Sequence, residues 1–160
     1  MKEVRATTSQ GLPLLLQQGS YASFPESFRH YLMKSWVAAH RRFTDKGADR
    51  LRSRFTGILA NPNTTVVMAL FPDDQAKRGE ERIIGWAVSD RGAVLHYIYV
   101  RNVYRHGGAG HVLLAAAVPE FQTPGPVVCT HWAKALPKDG WAIIPSVGGF
   151  RYVGSDIIRT

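Results

Sequence analysis

The sequence predicts a mixed α/β fold of the α+β type, formed as one domain over residues 1–160. Its 160 residues match the usual size of a single domain, and 45% hydrophobic with 20% charged residues are ordinary globular values. Helical periodicity dominates the first third of the chain, whereas strand-like runs separated by turns dominate the middle. A glycine-rich turn then joins the last of these strands to a helix of small residues, giving a strand–loop–helix unit.

The first third is predicted to hold one strand and a long helix. Val4 to Thr8 forms the opening strand, and Gly11 and Pro13 mark a break after it. The helix takes Ser27 as its N-cap and ends at Gly47. Its apolar positions are spaced by three or four residues, which is the helical period: Phe28, Leu32, Trp36, Ala39 and Phe43.

A second helix and three strands are predicted next. The helix has one apolar face and stops at the turn residues Asn61-Pro62-Asn63; that face holds Leu51, Phe55, Ile58 and Leu59. Three runs of β-branched and apolar residues predict strands: Thr64 to Phe71, Arg82 to Ser89 and Val94 to Val100. The polar stretch from Asp73 to Glu81 and the turn Asp90-Arg91-Gly92 connect them as hairpins.

The remaining third is predicted to hold one helix and two strands. Gly108 to Val118 has the composition of a buried helix, and Pro119 ends it. Val127 to Trp132 and Phe150 to Ile158 are the last two strands.

Composition excludes several classes of protein. A single cysteine excludes an intramolecular disulfide and a cysteine-rich zinc site, and it fits a reducing compartment. The apolar run from Leu12 to Leu16 is too short for a signal-peptide core or a membrane span. His106 and His111 are five residues apart and do not share a helix face, so we expect no metal site. These features predict a soluble, cytoplasmic protein.

The formal net charge of +8 allows an acidic partner. Between Arg29 and Arg54 there are eight basic residues against Asp45 and Asp49. This segment is either a solvated helix face or a patch for nucleic acid, a phosphorylated ligand or an acidic protein, and charge alone does not decide between them.

The most informative segment is the turn from Val100 to Gly110, V-R-N-V-Y-R-H-G-G-A-G. Three glycines at a helix start let a ligand approach the main chain, where the first N–H groups of the helix and its dipole favour an anion. A strand-to-helix turn without a ligand is the alternative. His111-Val112 after Gly110 excludes the P-loop, and the glycine spacing excludes the dinucleotide-binding fingerprint.

The pattern Arg105-x-x-Gly108-x-Gly110 resembles the pyrophosphate loop of the GNAT superfamily of N-acetyltransferases, which has the signature (Gln/Arg)-x-x-Gly-x-(Gly/Ala). The order of the predicted elements is also similar to that of the family. The resemblance implies a mixed, mostly antiparallel central sheet of about six or seven strands with about four helices on both faces. It also implies an N-acyltransferase that uses acetyl-CoA or a related acyl-CoA, with the amine acceptor left open and a homodimer as an option.

The resemblance implies which residues bind the acyl-CoA. The main chain of the loop, with some charge from Arg105 and His106, would hold the pyrophosphate: Arg105, His106, Gly107, Gly108, Ala109 and Gly110. In that family the central strand carries a bulge and splays from its neighbour. Its main chain, here Ile98, Tyr99 and Val100, would bind the thioester carbonyl. The side chains of Tyr97 and Tyr99 are expected to pack in the core on the face opposite His96.

Two side chains are candidates for proton transfer. His96 matches a position where some family members carry a catalytic or water-ordering histidine, and an unperturbed histidine pKa near 6.5 suits a base. A hydrogen-bonded structural histidine is the alternative. The tyrosine acid of the family is replaced by Pro145, so Tyr152 is the nearest candidate acid, with packing as its alternative role. This departure also admits a catalytically degenerate binding module of the same fold, associated with nucleic acid or another acidic partner. Cys129 is expected to be a buried apolar residue.

Overall fold

The computed structural model describes residues 1–39, 48–72, 77–119, 127–129 and 150–152. These residues form one seven-stranded sheet in the order β1-β2-β3-β4-β5-β6-β7. The strands are β1 (Lys2–Thr7), β2 (Pro13–Gly19), β3 (Thr64–Leu70), β4 (Ile83–Asp90), β5 (Val94–Val100), β6 (Val127–Cys129) and β7 (Phe150–Tyr152). The first five are antiparallel, and β6 and β7 are parallel to β5. The prediction of a mixed α/β fold is confirmed.

Three α-helices lie within the described residues, against about four expected. They are α1 (Glu26–Ala39), α2 (Ala48–Ala60) and α3 (Ala109–Ala117). Single 3₁₀ turns occur at Tyr21–Ser23, Gly79–Arg82 and Asn102–Tyr104. In the described residues no helix is long and apolar enough to cross a membrane.

The prediction of Ser27 as the N-cap of α1 is wrong. The helix begins at Glu26, and the carbonyl oxygen of Pro25 accepts hydrogen bonds from the N–H groups of Phe28 and Arg29. Ser27 therefore lies inside the first turn. Proline fits this boundary because its fixed φ favours a helix start. Gly47, the predicted end of the helix, lies outside the described residues.

Strand β2 was missed, because Gly11 and Pro13 were interpreted as a break. Gly11 is the turn of a hairpin: its φ is +84°, and its N–H donates to the carbonyl of Thr8. Leu14, Leu15 and Leu16 are 1%, 5% and 6% exposed, so β2 is buried on both faces. Such a strand has a continuous apolar run and lacks the alternation by which half-buried strands are recognised.

The sheet separates two apolar cores. Helices α1 and α2 cover one face, where Trp36 stacks on Phe55 with ring centroids 4.5 Å apart. Trp86 belongs to the same core and donates from Nε1 to the Ser35 hydroxyl at 2.8 Å, so its buried N–H is satisfied. Helix α3 covers the other face and packs Leu113 and Leu114 against strands β2 to β5. The glycine-rich turn before α3 is thereby placed beside the end of β5.

Candidate functional site

Strand β5 carries a bulge at His96. Val88 of β4 is opposite Tyr97 and Ser89 is opposite Leu95, so His96 is the extra residue between them. The bulge changes the alternation of side chains: Leu95 packs on the α3 face, whereas Tyr97 packs on the α1–α2 face. A bulge in this strand was expected from the family resemblance, and the structure places it at His96.

After the bulge, the main chain of β5 directs alternate N–H groups to opposite edges. The N–H of Arg101 donates to the carbonyl of Ile84 on β4 at 2.8 Å. Because these directions alternate along a strand, the N–H groups of Val100 and Ile98 are directed away from β4. In the described part of the chain, β6 pairs only with Val94 and Leu95. Two main-chain donors are therefore directed to an edge where the structure describes no neighbouring strand.

The sign of φ alternates along the turn between β5 and α3. The φ angle is −65° at Arg105, +67° at His106 and +90° at Gly108, whereas Gly107 has no positive φ. Arg105 is extended, with ψ 153°, so the left-handed conformations of the turn fall at His106 and Gly108. The same segment begins α3, whose first helical hydrogen bond runs from Val112 N–H to the Gly108 carbonyl. The turn therefore ends at the positive end of a helix dipole.

Arg105 is bound to the end of β5 by its side chain. Its Nε donates to the carbonyl oxygen of Val100 at 2.9 Å, although the residue is exposed. His106 is exposed as well, so both side chains are accessible from solvent beside the start of α3. The main chain provides the donors of this site, and the two side chains add positive or polar character at its rim.

Gly108 also has a structural role. A Cβ atom there would lie 3.0 Å from the Thr8 Cβ and 3.2 Å from the Ser9 hydroxyl, in the turn between β1 and β2. Gly110 differs, since its Cβ would contact only the Val100 side chain, at 3.7 Å. Glycine at position 108 is thus required by the fold, whereas Gly110 leaves room for a methyl group.

His96 is 1% exposed, and burial lowers its pKa to about 4, while the charge of Asp90 acts in the opposite direction. The imidazole is therefore neutral at pH 7, and its conjugate acid is too strong to retain a proton taken from an amine. The geometry favours a structural role for His96 in the bulge. The main chain of Tyr152 lies in β7 opposite Cys129, and its side chain lies outside the described residues.

Tyr31, Tyr99 and Arg101 form a polar cluster at the end of β5. Arg101 Nε donates to the Tyr31 hydroxyl at 2.9 Å, and its guanidinium carbon lies 4.8 Å from the Tyr31 ring centroid. Tyr99 stacks on Trp86 at 5.7 Å between centroids. Sequence analysis did not find Arg101 or Tyr31. The only local signals were the position of Arg101 directly after a strand and that of Tyr31 beside Leu32 in the apolar face of α1.

Cys129 is fully buried, and burial raises its pKa to about 11, so the prediction of a buried apolar role is confirmed. Among the described residues, no group of three His, Cys, Asp or Glu side chains is arranged to hold a metal ion.

No family model matches the chain, and no curated protein matches it. Among solved structures, the chain is similar to an aminoglycoside acetyltransferase from an uncultured soil metagenomic sample, solved in complex with trehalose and in complex with sisomicin. The TM-scores are 0.39 and 0.38, at 16% sequence identity in both cases. Each match covers 64% of this chain and spans 66% of the other, just under two thirds of its length. Scores of this size do not assign a fold or an activity, so the function has to be inferred from this chain's own geometry.

Proposed function

We propose that this protein is an acyl-CoA-dependent N-acyltransferase that transfers an acetyl group from acetyl-CoA to a primary amine by direct attack. One observation carries the proposal: the turn from Arg105 to Gly110, which begins α3, follows a strand whose Ile98 and Val100 amides are directed away from β4. A diphosphate and a thioester carbonyl are the two groups of acetyl-CoA that such donors bind. Both sets of donors belong to one chain segment, from Ile98 to Gly110.

The turn would hold the pyrophosphate by its main chain. The N–H groups from Gly108 to Gly110 precede the first helical hydrogen bond of α3, at a helix start, which is where anions are favoured electrostatically. The exposed side chain of Arg105 would add positive charge beside the bound pyrophosphate, while its Nε remains hydrogen-bonded to the Val100 carbonyl. Since most of the donors are main-chain amides, the site depends on backbone conformation more than on side-chain identity.

The amides of Ile98 and Val100 would stabilise the negative charge that develops on the thioester oxygen. In the reaction the amine nitrogen bonds to the thioester carbonyl carbon, the C–S bond breaks, and CoA leaves as its thiolate, which takes up the second proton that the nitrogen loses. Loss of one oxyanion donor typically costs about 3–4 kcal/mol of transition-state stabilisation. The attacking amine must first lose a proton, which we assign to solvent because His96 is buried with a pKa of about 4.

The test is release of CoA thiol from acetyl-CoA, measured with and without a panel of primary amines. The proposal predicts amine-dependent release and an N-acetylated product detectable by mass spectrometry. The matched control is the same panel of amines with the amino group methylated three times, which cannot form an amide. Binding of acetyl-CoA without any release would instead support the degenerate binding module, and nucleic acid binding that falls steeply with salt would then be tested.

A further inference from the structure

The cluster of Tyr31, Tyr99 and Arg101 includes a guanidinium that is fixed in place. Arg101 donates from Nε to Tyr31 and from Nη2 to the main-chain carbonyl of Glu80, at 2.9 and 3.3 Å. Its guanidinium also stacks over the ring of Tyr31, which is only 5% exposed. A cation held by three contacts to two other elements loses little side-chain entropy when it binds a ligand.

The charge of Arg101 is not neutralised by a carboxylate in the described part of the chain. The nearby Glu80 offers its main-chain carbonyl to Arg101, while its carboxylate pairs with Lys34 at 3.6 Å. The guanidinium of Arg105 also affects the pKa of Tyr99, a member of the cluster. Burial and the neighbouring Tyr31 raise the pKa of Tyr99, whereas the charges of Arg105 and Arg101 lower it. Two guanidiniums thus lie within electrostatic reach of one phenol hydroxyl.

The cluster faces the side of the sheet opposite α3. Tyr99 packs with the core under α1 and α2, whereas Ile98 and Val100 pack with the core under α3. Arg101 follows Val100 directly, and neighbouring strand residues are about 3.3 Å apart along the strand. The cluster is therefore next to the proposed thioester site, but on the other face from the helix start assigned to the pyrophosphate.

We propose that Arg101, oriented by the hydrogen-bonded Tyr31 and Tyr99 hydroxyls, binds an anionic group of the acceptor, so that the acceptor is a small primary amine bearing a carboxylate or a phosphate. This inference rests on the proposed function for the location of the reacting carbon. Arg101 acts as a residue for acceptor specificity: the remaining guanidinium donors match the oxygens of either anion. The amine of a short acceptor held in this way would lie near the Val100 amide.

The experiment measures kcat and KM for four small primary amines with acetyl-CoA: β-alanine, O-phosphoethanolamine, neutral ethanolamine and cationic 1,3-diaminopropane. In the unmodified chain, one of the two anionic amines is expected to exceed ethanolamine in kcat/KM, and which one does so distinguishes carboxylate from phosphate. Arg101→Gln should lower kcat/KM for that amine about 10- to 100-fold, through KM, because a charge-assisted hydrogen bond is lost. In the same variant, kcat/KM for ethanolamine should change less than about threefold.

Two further variants control the interpretation. Arg101→Lys keeps the charge without the planar fork and should recover part of the loss. Arg91→Gln removes an exposed positive charge at the other end of β5 and should leave all four amines unchanged. An equal loss for all amines in Arg101→Gln would mean that Arg101 only holds α1 to the sheet, which would overturn the proposal.

A binding measurement separates this inference from the proposed function. If no amine is acetylated, the same amines are titrated calorimetrically into the unmodified chain and into Arg101→Gln. Tighter binding of an anionic amine than of ethanolamine, lost in the variant, supports the anion site even without catalysis. Equal binding of all four, or no binding of an anionic amine, overturns it. Unchanged acetyl-CoA affinity in Arg101→Gln shows that the site belongs to the acceptor and not to the phosphates of CoA.

Discussion

Gly108 lies directly against Thr8: a Cβ on Gly108 would be 3.0 Å from the Thr8 Cβ. The turn between β1 and β2 is thus packed on the turn before α3, and only glycine fits between them at a φ of +90°. This contact joins the first hairpin of the chain to the candidate phosphate site. It also means that the glycine-rich motif cannot be explained by ligand binding alone.

We expect Gly108→Ala to lower the free energy of unfolding by about 2 kcal/mol, because an L-residue is strained at this φ and the methyl group meets Thr8. Gly110→Ala is the matched control, since its methyl group has an ordinary contact at 3.7 Å. Urea unfolding of the two variants measures the difference. Equal stability of the two variants would show that the turn relaxes at no cost.

Gly85 is predicted to control the position of the end of β5. A Cβ there would overlap the Tyr99 carbonyl oxygen and lie 3.1 Å from the Val100 Cα. Gly85→Ala should therefore cost about 2–4 kcal/mol of stability and lower kcat/KM for acetyl-CoA, because β5 must move. Gly57→Ala, at an exposed position in α2 with open space around its Cβ, should instead gain about 0.5–1 kcal/mol. Thermal unfolding and steady-state kinetics test both variants. Unchanged stability and kcat/KM in Gly85→Ala would contradict the close approach of β4 to the end of β5.

Burial of His96 predicts how stability changes with pH. The pKa is about 4 in the folded protein and near 6.5 when unfolded, so the unfolded state binds more protons between these values. The contribution of neutral His96 to the free energy of unfolding is complete above pH 6.5. About 2 kcal/mol of this contribution is lost as the pH falls from 7 to 5. His96→Gln should remove this part of the pH dependence, whereas exposed His30→Gln should retain it. A signal assigned to His96, by its absence in His96→Gln, that titrates near pH 6.5 in the folded chain would contradict the prediction.

The sequence was informative where the structural cause is local. The apolar period of α1, the hairpin turn at Arg91 and Gly92, and the glycines before α3 each reflect the geometry of a few neighbouring residues. Local patterns therefore identified α1, the hairpin strands β3, β4 and β5, and the glycine-rich turn before α3. They did not identify β2, because a strand buried on both faces has no alternation.

The acceptor side of the site depends on contacts that no local pattern contains. Arg101 and Tyr31 are separated by 70 residues and meet only because the tertiary fold places Tyr31 of α1 beside the end of β5. The burial of His96 follows from a bulge, in which one extra residue changes the face of every side chain after it. Neither a spacing rule nor the composition of the strand contains this information.

The most direct test of the central claim, that the turn from Arg105 to Gly110 binds a diphosphate through its main chain, is calorimetric titration of acetyl-CoA into His106→Asp and His106→Asn. Both side chains tolerate the positive φ of His106, +67°, so the variants differ in charge and share the backbone conformation. We predict micromolar binding for the unmodified chain and for the Asn variant. In the Asp variant, like-charge repulsion should weaken binding about 10-fold, and high salt should reduce that effect. Equal acetyl-CoA affinity in the two variants, or no binding by the unmodified chain at millimolar ligand, would contradict the claim.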